Sequence, residues 1–86
     1  MTEYAVVFAR SARRELERLD VGVARRIISR VEALAEDPRP PGCVKLQAAD
    51  DLWRIRVGDY RVIYSLDDDA RLVDVRVVRH RSDAYR

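Results

Sequence analysis

Arginines dominate the side chains of this sequence that could do chemistry. Of its 17 lysines and arginines, every one except Lys45 is an arginine. A guanidinium group presents a planar fork of donors that matches a phosphate, and it stays charged at any physiological pH. Arg54, Arg56, Arg61, Arg76, Arg79 and Arg81 all fall in the C-terminal half, with Tyr85 close behind. Guanidinium groups suit a phosphate anion, so their positions need to be worked out. His80 is the single histidine, and the imidazole is the side chain that ordinarily titrates near neutrality. It can serve as acid or base, or as a structural residue at a strand end. The other constellations are empty. One histidine and one cysteine, Cys43, cannot make a metal site of their own. Asp67-Asp68-Asp69 lacks the remaining ligands of a calcium loop and reads as a solvated turn. Ser11, Ser29, Ser65 and Ser82 have no companions for nucleophilic catalysis. The net charge of +2 is too small to imply a nucleic-acid partner, so the placement of the arginines has to carry that inference.

The elements that position them follow from periodicity. Glu3 to Phe8 reads as a first strand. Ser11 is a plausible N-cap for a helix to about Leu19, with Ala12, Leu16 and Leu19 on one face. Asp20-Val21-Gly22 reads as a short break. A second helix runs from about Val23 to Glu36; Val23, Ile27, Val31, Leu34 and Ala35 form its apolar stripe, and Arg25, Arg26, Arg30, Glu32 and Glu36 its wet side. Pro38, Pro40, Pro41 and Gly42 end it in a stiff loop. From Leu52 the period changes to two. Leu52 to Val57 is a strand, Gly58-Asp59 a tight turn, Tyr60 to Leu66 the return strand, and Arg71 to Arg79 the last strand after the acidic turn. The order is β-α-α-β-β-β, an α+β fold with a helical hairpin packed on one face of a mainly antiparallel four-stranded sheet.

Turn positions then set the register. With Gly58 and Asp59 as the turn, Val57 faces Tyr60, Ile55 faces Val62 and Trp53 faces Tyr64, giving a large, mainly apolar face. Trp53 and Tyr64 read as packing residues, and Tyr60, flanking the turn, is less determined. The other face pairs Arg56 with Arg61 and Arg54 with Ile63. If Asp67 pairs with Ala70, or Leu66 with Arg71, then Val73, Val75 and Val77 join the apolar face and Arg76 lands opposite Arg61. The expected row is Arg56–Arg61–Arg76, with Arg54 beside it. Like charges directly opposite one another destabilise a sheet by up to roughly 1 kcal/mol per pair. Two explanations are open at this point: a solvated face balanced by Asp59, Asp74 or Asp83, or a row held for an anion.

Length and composition bound the rest. With 86 residues, 48% hydrophobic and 37% charged, residues 1–86 read as one small globular domain. No apolar run approaches the roughly 18 residues of a membrane span. The opening Met1-Thr2-Glu3-Tyr4 does not look like a secretory leader, and a lone cysteine offers no disulfide framework, so the expected location is cytoplasmic.

The stretch Leu52-Trp53-Arg54-Ile55-Arg56-Val57-Gly58-Asp59-Tyr60-Arg61-Val62-Ile63-Tyr64 resembles the central hairpin of the RelE/ParE toxin superfamily. Lys45-Leu46 is similar to its lead-in, and Arg79-His80-Arg81-Ser82-Asp83-Ala84-Tyr85-Arg86 to its closing basic–aromatic motif. The resemblance implies a toxin of a type II toxin–antitoxin pair. RelE-like members cleave messenger RNA in the ribosomal A site; ParE-like members inhibit DNA gyrase and lack the nuclease residues. On the RelE-like expectation, Arg54 and Arg56 stand where lysines often contact the RNA phosphate, and Arg61 is the phosphate-binding arginine. Arg81 matches the proposed general acid, and Tyr85 the proposed general base. Lys45, Arg76, Arg79 and His80 are further candidates for RNA contact.

The implied chemistry needs no cofactor. The RNA 2′-hydroxyl attacks its own phosphate, leaving a cyclic phosphate and a free 5′-hydroxyl. Arginine is a poor proton donor and tyrosine a poor base at their ordinary pKa values, so the expected intrinsic rate is slow and dependent on positioning by the ribosome. The expected partners are the ribosome with its messenger RNA, and a cognate antitoxin whose acidic segment wraps the toxin in a hetero-oligomer; no membrane is involved. The alternative expectation is a gyrase-directed toxin without nuclease activity.

Overall fold

A computed structural model describes residues 3–47 and 51–82. Its elements are β1 (Ala5–Phe8), α1 (Arg10–Arg18), α2 (Val21–Glu32) continuing into a single 3₁₀ turn (Ala33–Ala35), β2 (Val44–Lys45), β3 (Leu52–Val57), β4 (Tyr60–Asp67) and β5 (Leu72–His80). The strands form one sheet in the order β1-β5-β4-β3-β2. β1 runs parallel to β5 and every other pairing is antiparallel. The α+β class and the helical hairpin on one face agree with expectation. The sheet has five strands rather than four, because Val44 and Lys45 pair with Arg54 and Trp53 at its edge.

Both helices start earlier than periodicity suggests. Ser11 is not a cap: α1 begins at Arg10, and the Ser11 hydroxyl instead donates to the Arg76 carbonyl at 3.3 Å. Asp20 caps α2, its carboxylate accepting from the Gly22 N–H at 3.1 Å. Val21 and Gly22 thus belong to the first turn of the helix rather than to a break.

The core lies between the hairpin and one sheet face. Ala12, Leu16, Ile27, Val31 and Leu34 from the helical side meet Ile55, Val57, Val62, Tyr64, Leu66, Val73, Val75 and Val78 from the sheet. Tyr64 is fully buried, and its hydroxyl donates to the Pro38 carbonyl at 2.7 Å, which ties the proline loop to β4. A buried hydroxyl needs such a partner. Burial also pushes the Tyr64 phenol far above its ordinary pKa. Outside the core, Arg39 forks onto Asp68 at 2.8 and 3.3 Å and lies 4.9 Å over the Trp53 ring, while the Tyr4 hydroxyl donates to the same carboxylate. This clasp joins the N-terminal strand, the proline loop and the acidic turn.

The β3–β4 register is the one the Gly58-Asp59 turn dictates: Val57 opposite Tyr60, Ile55 opposite Val62, Trp53 opposite Tyr64, Arg56 opposite Arg61. Gly58 sits at φ 59 and Asp59 does not share that sign, the φ pattern of a type II′ turn with glycine in first place.

The β4–β5 register differs from expectation for two reasons. First, the acidic turn is longer: Asp67 pairs with Leu72, its carboxylate accepts from the Ala70 N–H at 2.9 Å, and Arg71 takes a left-handed φ of 54 to close it. That lengthening moves the partners by two residues and leaves every side chain on its face. Second, a bulge between Ile63 and Tyr64 pairs Tyr64 with Val75 but Ile63 with Val77, leaving Arg76 as the extra residue. One extra residue swaps the faces beyond it. Val78 rather than Val77 is therefore buried, and Arg79 rather than Arg76 stands opposite Arg61. The Ser11 hydroxyl supplies a donor to the carbonyl that the bulge displaces.

Candidate functional site: an arginine row on the open sheet face

The corrected row is Arg56–Arg61–Arg79, directly opposite one another on β3, β4 and β5, with Arg54 one pair along from Arg56. These residues alternate with the buried Ile55, Val57, Val62 and Val78, so they occupy the sheet face that the helices leave uncovered. Arg81 joins them from the end of β5. Its backbone N–H donates to the Asp59 carbonyl at 2.7 Å, which anchors the strand end against the hairpin turn.

Three hollows connect along this band. A cleft of about 410 Å³ is lined by Arg56, Arg61 and Arg81 together with Gly58, Asp59, Tyr60 and Ser82. A second, of about 340 Å³, shares Arg61 with the first and adds Arg54, Arg79, Leu46, Ile63 and Val77. A third, of about 360 Å³, shares Arg56 with the first and Arg54 with the second, and adds Arg30 of α2 with Pro41 and Gly42. Among the described residues of the three linings, Asp59 is the one carboxylate beside six arginines. Asp74 does not balance the row: its carboxylate pairs with Arg76 at 3.0 Å. Asp83 lies outside the described residues. The band is therefore a concave, strongly cationic surface suited to a polyanion.

The remaining sequence candidates fall elsewhere. Arg76 sits on the bulge and lines none of the three hollows. Lys45 is exposed on β2 opposite Trp53, and so shares that residue's face rather than the face of the row. His80 pairs with Tyr60 two residues beyond the buried Val78, on the helix-side face. Its ring meets the Tyr60 ring edge-on at 5.1 Å. The Ser82 backbone N–H donates to His80 Nδ1 at 3.2 Å, with the Ser82 hydroxyl 2.8 Å from the same nitrogen. An accepting Nδ1 leaves the proton of the neutral ring on Nε2. These contacts make His80 a clamp on the strand end that carries Arg81. Tyr85 lies outside the described residues. Among the described residues, no three His, Cys, Asp or Glu side chains come together as metal ligands.

Arg30 was legible only as one of several arginines on the wet side of a helix. Nothing in the sequence places it beside Arg54 and Arg56, because that contact depends on how α2 lies across the edge of β3.

This geometry has relatives. A family model described as the ParE toxin of type II toxin–antitoxin systems matches residues 6–85. The toxin RelE of Mycobacterium tuberculosis is 32% identical over 84 residues, covering 96% of this chain and 87% of the relative. The toxin RelG of the same organism is 30% identical over 84 residues, covering 96% and 97%. Among solved structures, the archaeal RelE–RelB complex of Pyrococcus horikoshii superposes with a TM-score of 0.82 at 30% identity, covering 94% of this chain and 97% of the matched one. The chain belongs to the RelE/ParE superfamily of type II toxin–antitoxin toxins.

Proposed function

We propose that this toxin is a RelE-like endoribonuclease that cleaves messenger RNA on the translating ribosome. The observation carrying the proposal is the convergence of Arg56, Arg61 and Arg81 on one cleft, with Arg79 opposite Arg61. The gyrase-directed reading gives that row no task.

In the proposed step, a base removes the proton of the RNA 2′-hydroxyl and O2′ bonds to the adjacent phosphorus. The bond from phosphorus to O5′ breaks, and the leaving oxygen takes a proton. The products are a 2′,3′-cyclic phosphate and a 5′-hydroxyl. The nucleophile is the RNA's own hydroxyl, so the step requires neither an activated water nor a metal. Arg56, Arg61 and Arg79 offset the charge of the crowded phosphorane. Arg81 sits beside the leaving side, where it acts chiefly through charge because its proton is hard to remove. Tyr85 is the proposed base, a role that requires guanidinium groups to stabilise its phenolate. Arg54 holds the neighbouring backbone. The ribosome supplies alignment that this shallow surface does not, which keeps free RNA a poor substrate.

The proposed inhibitor is a cognate antitoxin whose acidic, partly disordered segment folds over the helices and the arginine row. The matched Pyrococcus structure is itself a RelE–RelB complex. On the helical side, a groove of about 310 Å³ lined by Phe8, Leu16, Ala24 and Ile28 gives apolar side chains of such a segment a seat. Residues 1–86 act as a single toxin domain in this account, in the cytoplasm where its target resides; no described helix is long and apolar enough to cross a membrane.

The test is incubation of purified toxin with translating ribosomes and codon-resolved mapping of messenger ends, beside a supercoiling assay with purified gyrase. Cuts at ribosome-occupied codons with gyrase unaffected support the proposal. Intact messenger at all codons, or gyrase inhibition alone, overturns it.

A further inference from the structure

The ladder of β5 ends at His80, which pairs with Tyr60. β1 flanks β5 only as far as Val75, so the sheet holds the stretch leading to Arg81 on one side alone. Arg81 lies just past the last pair, yet both of its peptide groups are pinned. The peptide before it donates the Arg81 N–H to the Asp59 carbonyl at 2.7 Å. The peptide after it donates the Ser82 N–H to His80 Nδ1 at 3.2 Å, and the Ser82 hydroxyl lies 2.8 Å from the same nitrogen. Peptide groups are planar, so fixing the two that flank a residue fixes the direction in which its side chain leaves the backbone. The imidazole does here what an asparagine carbonyl does in a turn, accepting from the N–H two residues on. The Tyr60 ring, edge-on at 5.1 Å, packs against the imidazole in turn. Tyr60, Arg81 and Ser82 all line the cleft of about 410 Å³, whereas His80 lines none of the three hollows.

We propose that His80 is a positioning residue for cleavage, aiming Arg81 into the cleft by accepting from the Ser82 N–H. The inference rests on the nuclease reading and deepens it, giving the single histidine a task that involves neither proton transfer nor contact with RNA. Arg81 acts beside the leaving oxygen, where charge develops in the transition state, so a misdirected Arg81 lowers the maximal rate. Arg54, Arg56 and Arg61 stand on β3 and β4, within a hairpin whose register does not involve His80. They carry binding in this account, so the half-saturating toxin concentration stays the same. A displacement of about 1 Å at a reacting centre can cost on the order of 10²-fold. Loss of the His80 acceptor leaves the Asp59 anchor in place, so the expected loss is smaller than that.

Single-turnover cleavage on ribosomes programmed with a defined messenger is measured for wild type, His80→Asn, His80→Gln and His80→Phe, each also in an Arg81→Ala background. Asparagine places a carbonyl oxygen where Nδ1 stands, glutamine places one nearer Nε2, and phenylalanine keeps a ring against Tyr60 without an acceptor. His80→Phe and His80→Gln should lower the maximal rate about 5–10-fold with the half-saturating concentration unchanged. His80→Asn should recover most of that loss. In the Arg81→Ala background His80→Phe should add less than about 2-fold, because the group being positioned is gone. In the free toxin, nitrogen NMR should show the proton of the neutral His80 ring on Nε2, and exchange of the Arg81 and Ser82 amides should quicken in His80→Phe but not in His80→Asn. A loss that His80→Asn does not recover, or one of equal size with and without Arg81, overturns the positioning role. A raised half-saturating concentration at an unchanged maximal rate also overturns it and makes His80 an RNA contact. His80→Phe indistinguishable from wild type, while Arg81→Ala loses activity, overturns the role and leaves the nuclease reading intact. Absence of cleavage by the wild type overturns both.

Discussion

The bulge in β5 decides which arginine completes the row, and removing charges one at a time tests it. Arg61 and Arg79 are directly opposite one another, whereas Arg76 pairs with Asp74 at 3.0 Å. Opposed like charges cost about 0.2–1 kcal/mol. Arg79→Gln removes one such opposition, keeps much of the side-chain stem, and should stabilise the free toxin by that amount. For a domain of this size the corresponding rise in Tm is roughly 1–8 °C. Arg76→Gln removes an exposed ion pair worth about 0–1 kcal/mol, so its Tm should stay level or fall. Only Arg79→Gln should raise the Tm, although both substitutions delete one arginine from one strand. Urea and thermal unfolding at low salt measure the difference. Near 1 M salt, where the screening length falls to about 3 Å, the Arg79→Gln gain should largely vanish. Stabilisation by Arg76→Gln with none from Arg79→Gln would mean the strand lies in the unbulged register, and the row as described would be wrong.

Two further outcomes follow from contacts away from the row. Tyr64→Phe leaves the Pro38 carbonyl without its 2.7 Å donor and should cost about 1 kcal/mol, a Tm decrease of about 4–8 °C; an unchanged Tm would show that the hydrogen bond contributes nothing. In the clasp, hydrogen bonds from Arg39 and then Tyr4 hold the Asp68 carboxyl below its ordinary value of 3.8. A depressed folded pKa contributes stability that is present above about pH 4 and lost as pH falls through the folded value. Asp68→Asn should therefore melt lower than wild type at pH 7, with the gap closing below pH 4; a gap of constant size across a pH series would rule out the carboxylate as its source.

Much of this surface was legible in the sequence. Gly58-Asp59 is a strong local turn signal, and it placed Arg54, Arg56 and Arg61 on one face with every β3–β4 pair correct. The acidic turn was less informative. Asp67 closes it through its own side chain and Arg71 adopts a left-handed φ, a conformation that nothing in Asp-Asp-Asp-Ala-Arg announces. The bulge left no local trace, since its displaced carbonyl is met by Ser11, 65 residues away in the chain. Ser11 reads as a helix cap because serine is a favoured cap residue, and Arg76 reads as a member of the row because an unbulged strand would put it there. The two-residue strand β2 is too short to show a period, and Arg30 reaches the band only through the packing of α2.

The central claim is that the row stabilises charge on a scissile phosphodiester, and single-turnover cleavage of ribosome-bound messenger by wild type and Arg61→Gln addresses it most directly, with the chemistry of the new ends identified. The account predicts 2′,3′-cyclic phosphate and 5′-hydroxyl ends, no cut at a 2′-deoxy linkage, and a maximal rate about 10²–10³-fold lower for Arg61→Gln. Cleavage at wild-type rate by Arg61→Gln, or cutting that proceeds at the 2′-deoxy linkage, would contradict it.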